Sequence, residues 1–342
     1  MENLQWIDLR SDTVTKPTKE MLAFMMSVEV GDDVFGEDPT VFELEKMLSQ
    51  MFGMEAGLFC PTGTMTNQIA IKCHTQPGDE VICEAHSHVY YYEGGGIGFH
   101  SGCQARVLEG NYGRLSAEQI QSVIRPDDIH QPISRLVCLE NTANRGGGAC
   151  YDFQEILKIK KVCEQNQLKL HLDGARLFNA IIAQNENPLD YGKVFDSISI
   201  CLSKGLGAPV GSVLLGNKDF IKKAKRLRKL MGGGMRQAGY LAAAGIFALQ
   251  NHVQRLNIDH QNAKIIANSL AEKSFVKNIF PVQTNIIIFE LNSPFSALEI
   301  VLKLREKQVL CFPIGENRIR MVTHLDITQE KMERLIEAIH EI

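Results

Sequence analysis

Lys204 stands where an alternating run, Ser197 to Leu202, meets the glycine turn Gly205-Leu206-Gly207. A lysine held at a strand end beside apolar walls sheds its proton more readily than a solvated one. It can then attack a carbonyl carbon, as Schiff-base lysines do. Alone the feature is weak, because a lysine beside glycine is more often a solvated turn. Asp173-Gly174-Ala175-Arg176 changes the weighing, since it closes the apolar run Leu168 to Leu172. An acid at one strand end and a lysine at the next can flank a pyridine ring. Pyridoxal phosphate (PLP) needs that pair: a lysine to carry it and a carboxylate to face the ring nitrogen and keep it protonated. Without such a group, Asp173 is a helix cap and Arg176 its ion-pair partner.

Two further stretches could serve the same ring. Pro61-Thr62-Gly63-Thr64 lies at a strand-to-helix junction, where free amides, a glycine and hydroxyls suit a phosphate as well as they suit a plain cap. Glu84 to Glu93 contains His86 and His88 and ends at Gly94-Gly95-Gly96. Two histidines so spaced could start a metal site, but no third ligand cluster accompanies them, so no metal is expected. His88 as a flat imidazole stacked on a flat cofactor competes with an ordinary hydrogen-bonded loop histidine.

The elements that must hold these residues read as strands at Leu58 to Cys60, Val81 to Cys83, Arg106 to Leu108, Arg135 to Glu140, Leu168 to Leu172, Ser197 to Leu202 and Ser212 to Leu215. Helical patterns lie between several of them, which predicts an α/β fold with a mostly parallel sheet covered on both faces. A long helical tract, Tyr240 to Ala271, is expected to lead out of that layer into a small C-terminal α+β domain. The expected division is a large domain with an N-terminal arm at 1–250 and a small domain at 251–342.

Bulk properties narrow the classes. The chain has 342 residues, 44% hydrophobic and 22% charged, with formal net charge −4, which argues against a general nucleic-acid surface. The basic cluster Lys222 to Lys229 reads as the solvated face of a helix. Nine cysteines without a CxxC pair suggest neither zinc nor a disulfide framework and fit reduced thiols in the cytoplasm. No signal peptide or membrane span is legible.

Taken together, Leu9 to Thr15, Gly31 to Pro39, the Pro61 loop, Leu139-Glu140-Asn141-Thr142, Asp173 to Arg176, Ser203 to Leu206, Gly232 to Gln237 and Arg320 to Thr323 resemble the threonine aldolases over almost the whole chain. The resemblance implies the fold type I architecture of aspartate aminotransferase, with a mostly parallel seven-stranded sheet. It also implies PLP as cofactor, an amino-acid substrate and a homotetramer built from dimers. By the same resemblance, Lys204 carries PLP, Asp173 faces its ring nitrogen and His88 stacks on the ring. Gly63 and Thr64 cradle the phosphate, with Arg236 near it from a neighbouring subunit. Ser11, Arg176 and Arg320 clamp the substrate carboxylate, a task suited to bidentate arginine.

The implied reaction is cleavage of L-threonine or L-allo-threonine to glycine and an aldehyde. β-Elimination and transamination are the rival PLP reactions, and an inactive binding protein that keeps the fold is the non-enzymatic one. Two positions depart from the family pattern. Ala143 stands where a histidine associated with the substrate hydroxyl is usual, and Phe35 where tyrosine is frequent.

Overall fold

The computed structural model describes residues 6–342. A seven-stranded sheet is built from β2 to β8, with β1 (Ile7–Asp8) lying outside it. The seven are β2 (Ala56–Cys60), β3 (Glu80–Glu84), β4 (Gln104–Leu108), β5 (Ser134–Glu140), β6 (Lys169–Gly174), β7 (Ser197–Cys201) and β8 (Ser212–Gly216). Their order across the sheet is β2-β8-β7-β6-β5-β3-β4. β8 runs antiparallel to both neighbours, and the remaining pairs are parallel. β3, β7 and β8 are buried along their whole length, as strands in a sheet covered by helices on both faces must be.

Local chemistry sets the helix starts near the site. Asp38 precedes Pro39 and accepts from the amides of Thr40 and Val41, opening the helix Pro39–Phe52. Thr62 accepts from Met65 N and opens Gly63–His74 directly after β2. Both are side-chain caps that satisfy first-turn amides.

A second, four-stranded antiparallel sheet has the order β12-β13-β10-β9. Its members are β9 (Val276–Ile279), β10 (Ile286–Leu291), β12 (Phe312–Pro313) and β13 (Arg318–Val322), with β11 (Val309–Leu310) preceding β12. β11 pairs in parallel with β1, so Ile7 and Leu9 are buried with Ile266, Phe289, Met321 and Leu335.

Two expectations need correction. The tract Tyr240 to Ala271 is two helices, Gly239–Asn251 and Leu256–Ala271. They break where His252 turns its Nδ1 to Leu206 O at 2.7 Å. The basic cluster is not solvated throughout: Arg228 is buried and donates to Asp33 Oδ2 at 2.7 Å and Phe59 O at 2.6 Å. All nine cysteines are free thiols. Among the described residues, no helix is long and apolar enough to cross a membrane.

Candidate active site

The parallel strands bring their C-terminal ends together, the usual place for a ligand crevice in an open α/β sheet. β5 ends at Glu140 and β6 places Asp173 directly opposite it in register. β7 leads to Lys204. Ser11, His88, Glu140, Arg176, Lys204 and Arg320 all line one cavity of about 370 Å³. Sequence reading had singled out five of these six; Glu140 it quoted only within a motif.

Asp173 does not itself line that cavity; it is almost fully buried and accepts from Asn67 Nδ2 at 2.9 Å and Ala175 N at 3.0 Å. Asn67 is held in turn. Its amide nitrogen also donates to Glu93 Oε1 at 2.9 Å, so its oxygen must accept from His171 Nε2 at 3.1 Å. His171 Nδ1 is then the acceptor toward Ser197 Oγ at 2.8 Å, and Ser197 Oγ accepts from His74 Nε2 at 2.8 Å. Every donor in this chain points toward Asp173 and Glu93, a fixed polarity imposed by one amide. Burial holds His171 down to about 4 and His74 down to about 3, so both are neutral links.

Glu93 accepts from Asn67 and Gln68, and His88 Nδ1 lies 2.7 Å from its Oε1. The Nδ1 proton belongs to that contact, which leaves His88 Nε2 as the basic nitrogen. Burial alone would lower the imidazole's pKa. The bond to Glu93 and the charges of Asp173, Glu93 and Glu140 outweigh it and raise the value above the ordinary one. The ligand atoms of His88, Glu93 and Asp173 lie within 4.8 Å of one another, but hydrogen bonds from His88, Asn67 and Gln68 already engage the Glu93 carboxylate.

Glu140 is buried and accepts from His88 N at 2.6 Å and Asn144 N at 2.8 Å. Burial and the neighbouring Asp173 raise its pKa despite those amides. Asn144 in turn accepts from Arg320 Nη2 at 2.7 Å, and Arg320 Nη1 donates to Arg10 O at 3.2 Å. Arg320 Nε is buried without a partner. Burial, with Arg176 nearby, lowers the Arg320 guanidinium to about 10. Arg176 is different, because Asp12 takes it in a two-pronged pair at 2.8 and 2.6 Å. Ser11 Oγ faces the cavity and accepts from Thr13 N at 3.2 Å.

Lys204 Nζ makes no hydrogen bond or ion pair among the described residues. Gly63 and Thr64 occupy the first turn of their helix, where backbone amides have no intrahelical partner. A Cβ on Gly63 would stand 3.3 Å from Ser212 Oγ, a buried hydroxyl that itself lacks a partner. Arg236 is not brought to this cavity by its own chain. It pairs with Asp32 at 2.8 Å, lies over the Phe35 ring at 5.6 Å and is half exposed.

Ala143, at the departure from the family pattern, turns its Cβ toward glycine backbone. It lies 2.8 Å from where a Cβ on Gly113 would stand and 3.2 Å from that of Gly146. Sequence reading missed Asp12, Asn67 and Glu93 as members of this constellation. Asp12 and Asn67 stand among other polar residues and Glu93 beside a glycine run, so no local signal set them apart.

The family described as beta-eliminating lyase matches residues 8–293. The low specificity L-threonine aldolase of Escherichia coli K12 is 42% identical over 95% of this chain and 96% of its own. The Saccharomyces cerevisiae enzyme of the same name is 40% identical over 98% of this chain and 86% of its own. Among solved structures, a threonine aldolase of Leishmania major superposes with a TM-score of 0.85 at 21% identity, over 98% of this chain and 99% of that one. A Sphingomonas wittichii serine palmitoyltransferase gives 0.76 at 16% identity, over 98% and 86%. The structural likenesses establish the α/β architecture shared with fold type I enzymes, and the full-length identities near 40% go further: the chain belongs to the low-specificity L-threonine aldolases, a family of lyases.

Proposed function

We propose that this chain binds PLP at Lys204 and cleaves L-threonine, L-allo-threonine and related β-hydroxy-α-amino acids to glycine and an aldehyde. The observation that carries the reading is one cavity in which an unpaired lysine, an arginine without an acidic partner and a histidine with one free basic nitrogen meet. The residues fit the cofactor. Lys204 is free to carry it, Asp173 is a buried, hydrogen-bonded acid that would face its ring nitrogen, and the Gly63 and Thr64 amides with the orphaned Ser212 hydroxyl suit its phosphate. When bound, PLP supplies an electron sink for the pair released from the Cα–Cβ bond.

The chain's own residues direct which bond breaks. Ser11, Arg176 and Arg320 hold the substrate carboxylate, and so fix the rotation about Cα that turns the Cα–Cβ bond toward the sink. Arg320 supplies the uncompensated charge, while Asp12 keeps Arg176 oriented. His88 Nε2 accepts the proton of the β-hydroxyl as the carbonyl forms, and Asp173 keeps the ring nitrogen protonated. General-base help of this kind is worth about 10²- to 10⁴-fold. Arg236 would serve the phosphate from a neighbouring subunit of a homotetramer, with the exposed Phe35, Phe42, Phe99 and Leu230 available to subunit contacts.

His88→Asn should lower aldehyde release from L-threonine by about 10²-fold or more, and an unchanged rate removes His88 from this role. The family description as beta-eliminating lyase makes β-elimination the rival. Release of ammonia and pyruvate from serine, in place of acetaldehyde and glycine from threonine, would favour it. Lys204→Ala should abolish the visible absorbance that added PLP gains on binding.

A further inference from the structure

Arg145 stands where two cavities meet. It lines the 370 Å³ space that holds Lys204 and Arg320, and also a second of about 470 Å³ that includes His86, Phe280 and Arg318. Pro313 and Ile314 border both, so the second space continues from the first. The Arg145 guanidinium lies over the Tyr92 ring at 5.2 Å and the Tyr91 ring at 6.0 Å. Cation–π contacts of this kind hold a guanidinium in place without consuming its N–H donors, which stay available for a planar anion.

Each of the other arginines around these spaces has a protein partner, though Arg320 has no acid paired with it. Arg176 is paired with Asp12, Arg318 with Glu290, and Arg320 bonds to Asn144 and the Arg10 carbonyl. Arg145 makes no hydrogen bond or ion pair among the described residues. No aspartate or glutamate lines the second cavity. A substrate with a single carboxylate is answered by Arg176 and Arg320, which leaves Arg145 without a partner.

We propose that Arg145 is a specificity-determining residue that receives an anionic group on Cβ, so that β-hydroxy amino acids with a second carboxylate, of the 3-hydroxyaspartate class, are favoured substrates. The proposal rests on the aldolase reading and names its substrate class. The balance is the same as for threonine. The Cα–Cβ bond of 3-hydroxyaspartate breaks, its hydroxyl loses a proton as the C=O forms, and Cα gains one. The products are glycine and glyoxylate, with no oxidant or reductant required.

The test compares kcat/KM for L-threo-3-hydroxyaspartate with that for its neutral isostere L-threo-3-hydroxyasparagine, in the unaltered enzyme and in Arg145→Gln and Arg145→Lys. The unaltered enzyme should prefer the acid by about tenfold or more, the scale of one charge-assisted contact. Arg145→Gln should erase the preference, and Arg145→Lys should restore part of it. A preference absent from the unaltered enzyme, or unmoved by Arg145→Gln, overturns the assignment. L-threonine is the separating arm. Cleavage of threonine without acid preference sinks this proposal alone, and cleavage of none of the three sinks the aldolase reading with it.

Discussion

Glu93 holds His88 through a 2.7 Å contact between Oε1 and Nδ1, and so decides which imidazole nitrogen is left to do chemistry. The pair is joined across five residues, but Glu93 is itself anchored by Asn67 and Gln68 from the helix that follows β2. A half-buried histidine at the start of a four-residue helix is thereby oriented for the role proposed for it.

Glu93→Gln should keep the imidazole in place while removing the charge that raises its pKa. The base must be unprotonated to act, so the acid limb of kcat/KM against pH should move to lower pH. The rate on the plateau should fall by about tenfold or more. A loss of rate with an unmoved limb would mean that Glu93 only supports the fold.

Asp12→Asn tests the buried pair with Arg176. Both side chains are nearly inaccessible, and removing one charge strands the other, at a cost of about 3 kcal/mol or more. The urea midpoint should drop with little change in slope, and KM for threonine should rise because Arg176 loses its anchor. An unchanged midpoint would show that the pair does not hold the two parts of the site together.

The buried histidines should destabilise the fold on the acid side of neutrality, opposed by Glu45 and Glu140, whose carboxyls burial raises to about 7. The folded state keeps His171 unprotonated down to about 4 because it is fully buried. An unfolded histidine takes up its proton below about 6.5. Between those values the unfolded chain binds more protons, so stability is complete above about 6.5 and is lost as pH falls. At pH 5 His171 alone costs about 2 kcal/mol. His74 and His260, lowered by burial to about 3 and about 4, act in the same direction. The urea midpoint at about pH 5 relative to that at about pH 7.5 should be higher in His171→Gln than in the unaltered chain, and an equal ratio would contradict it.

Ala143→His should not simply recover the usual family side chain. The Ala143 Cβ already meets the backbone around Gly113 and Gly146, so a larger group must displace that turn, at about 1–3 kcal/mol. A lower Tm without a gain in threonine cleavage is expected. An unchanged Tm with faster cleavage would show that the loop has room.

The layered architecture was legible because β-rich runs, turns and helical periods repeat along residues 56–216. Lys204, Asp173, His88, Arg176 and Arg320 were legible because each sits in a motif rich enough to be recognised. The antiparallel insertion of β8 between β2 and β7 was not, since strand order depends on pairing between segments far apart. The Asp12–Arg176 and Asn67–Asp173 contacts were hidden for the same reason, spanning 164 and 106 residues. Arg145 gave no local signal at all. Its neighbours Tyr91, Tyr92, Pro313 and Ile314 come from distant segments that only the fold assembles.

The pairing of β1 with β11 has a consequence for how the chain is made. Ile7 and Asp8 leave the ribosome well before Val309 and Leu310, with the whole seven-stranded layer encoded between them. The first strand therefore stays unpaired while the intervening residues are made, and the seven-stranded layer can form behind it. Ser11 and Asp12, only a few residues beyond β1, are fixed only when that late pairing closes. Catalytic competence should thus appear as a distinct step once Val309 and Leu310 have emerged, with sheet formation already behind it.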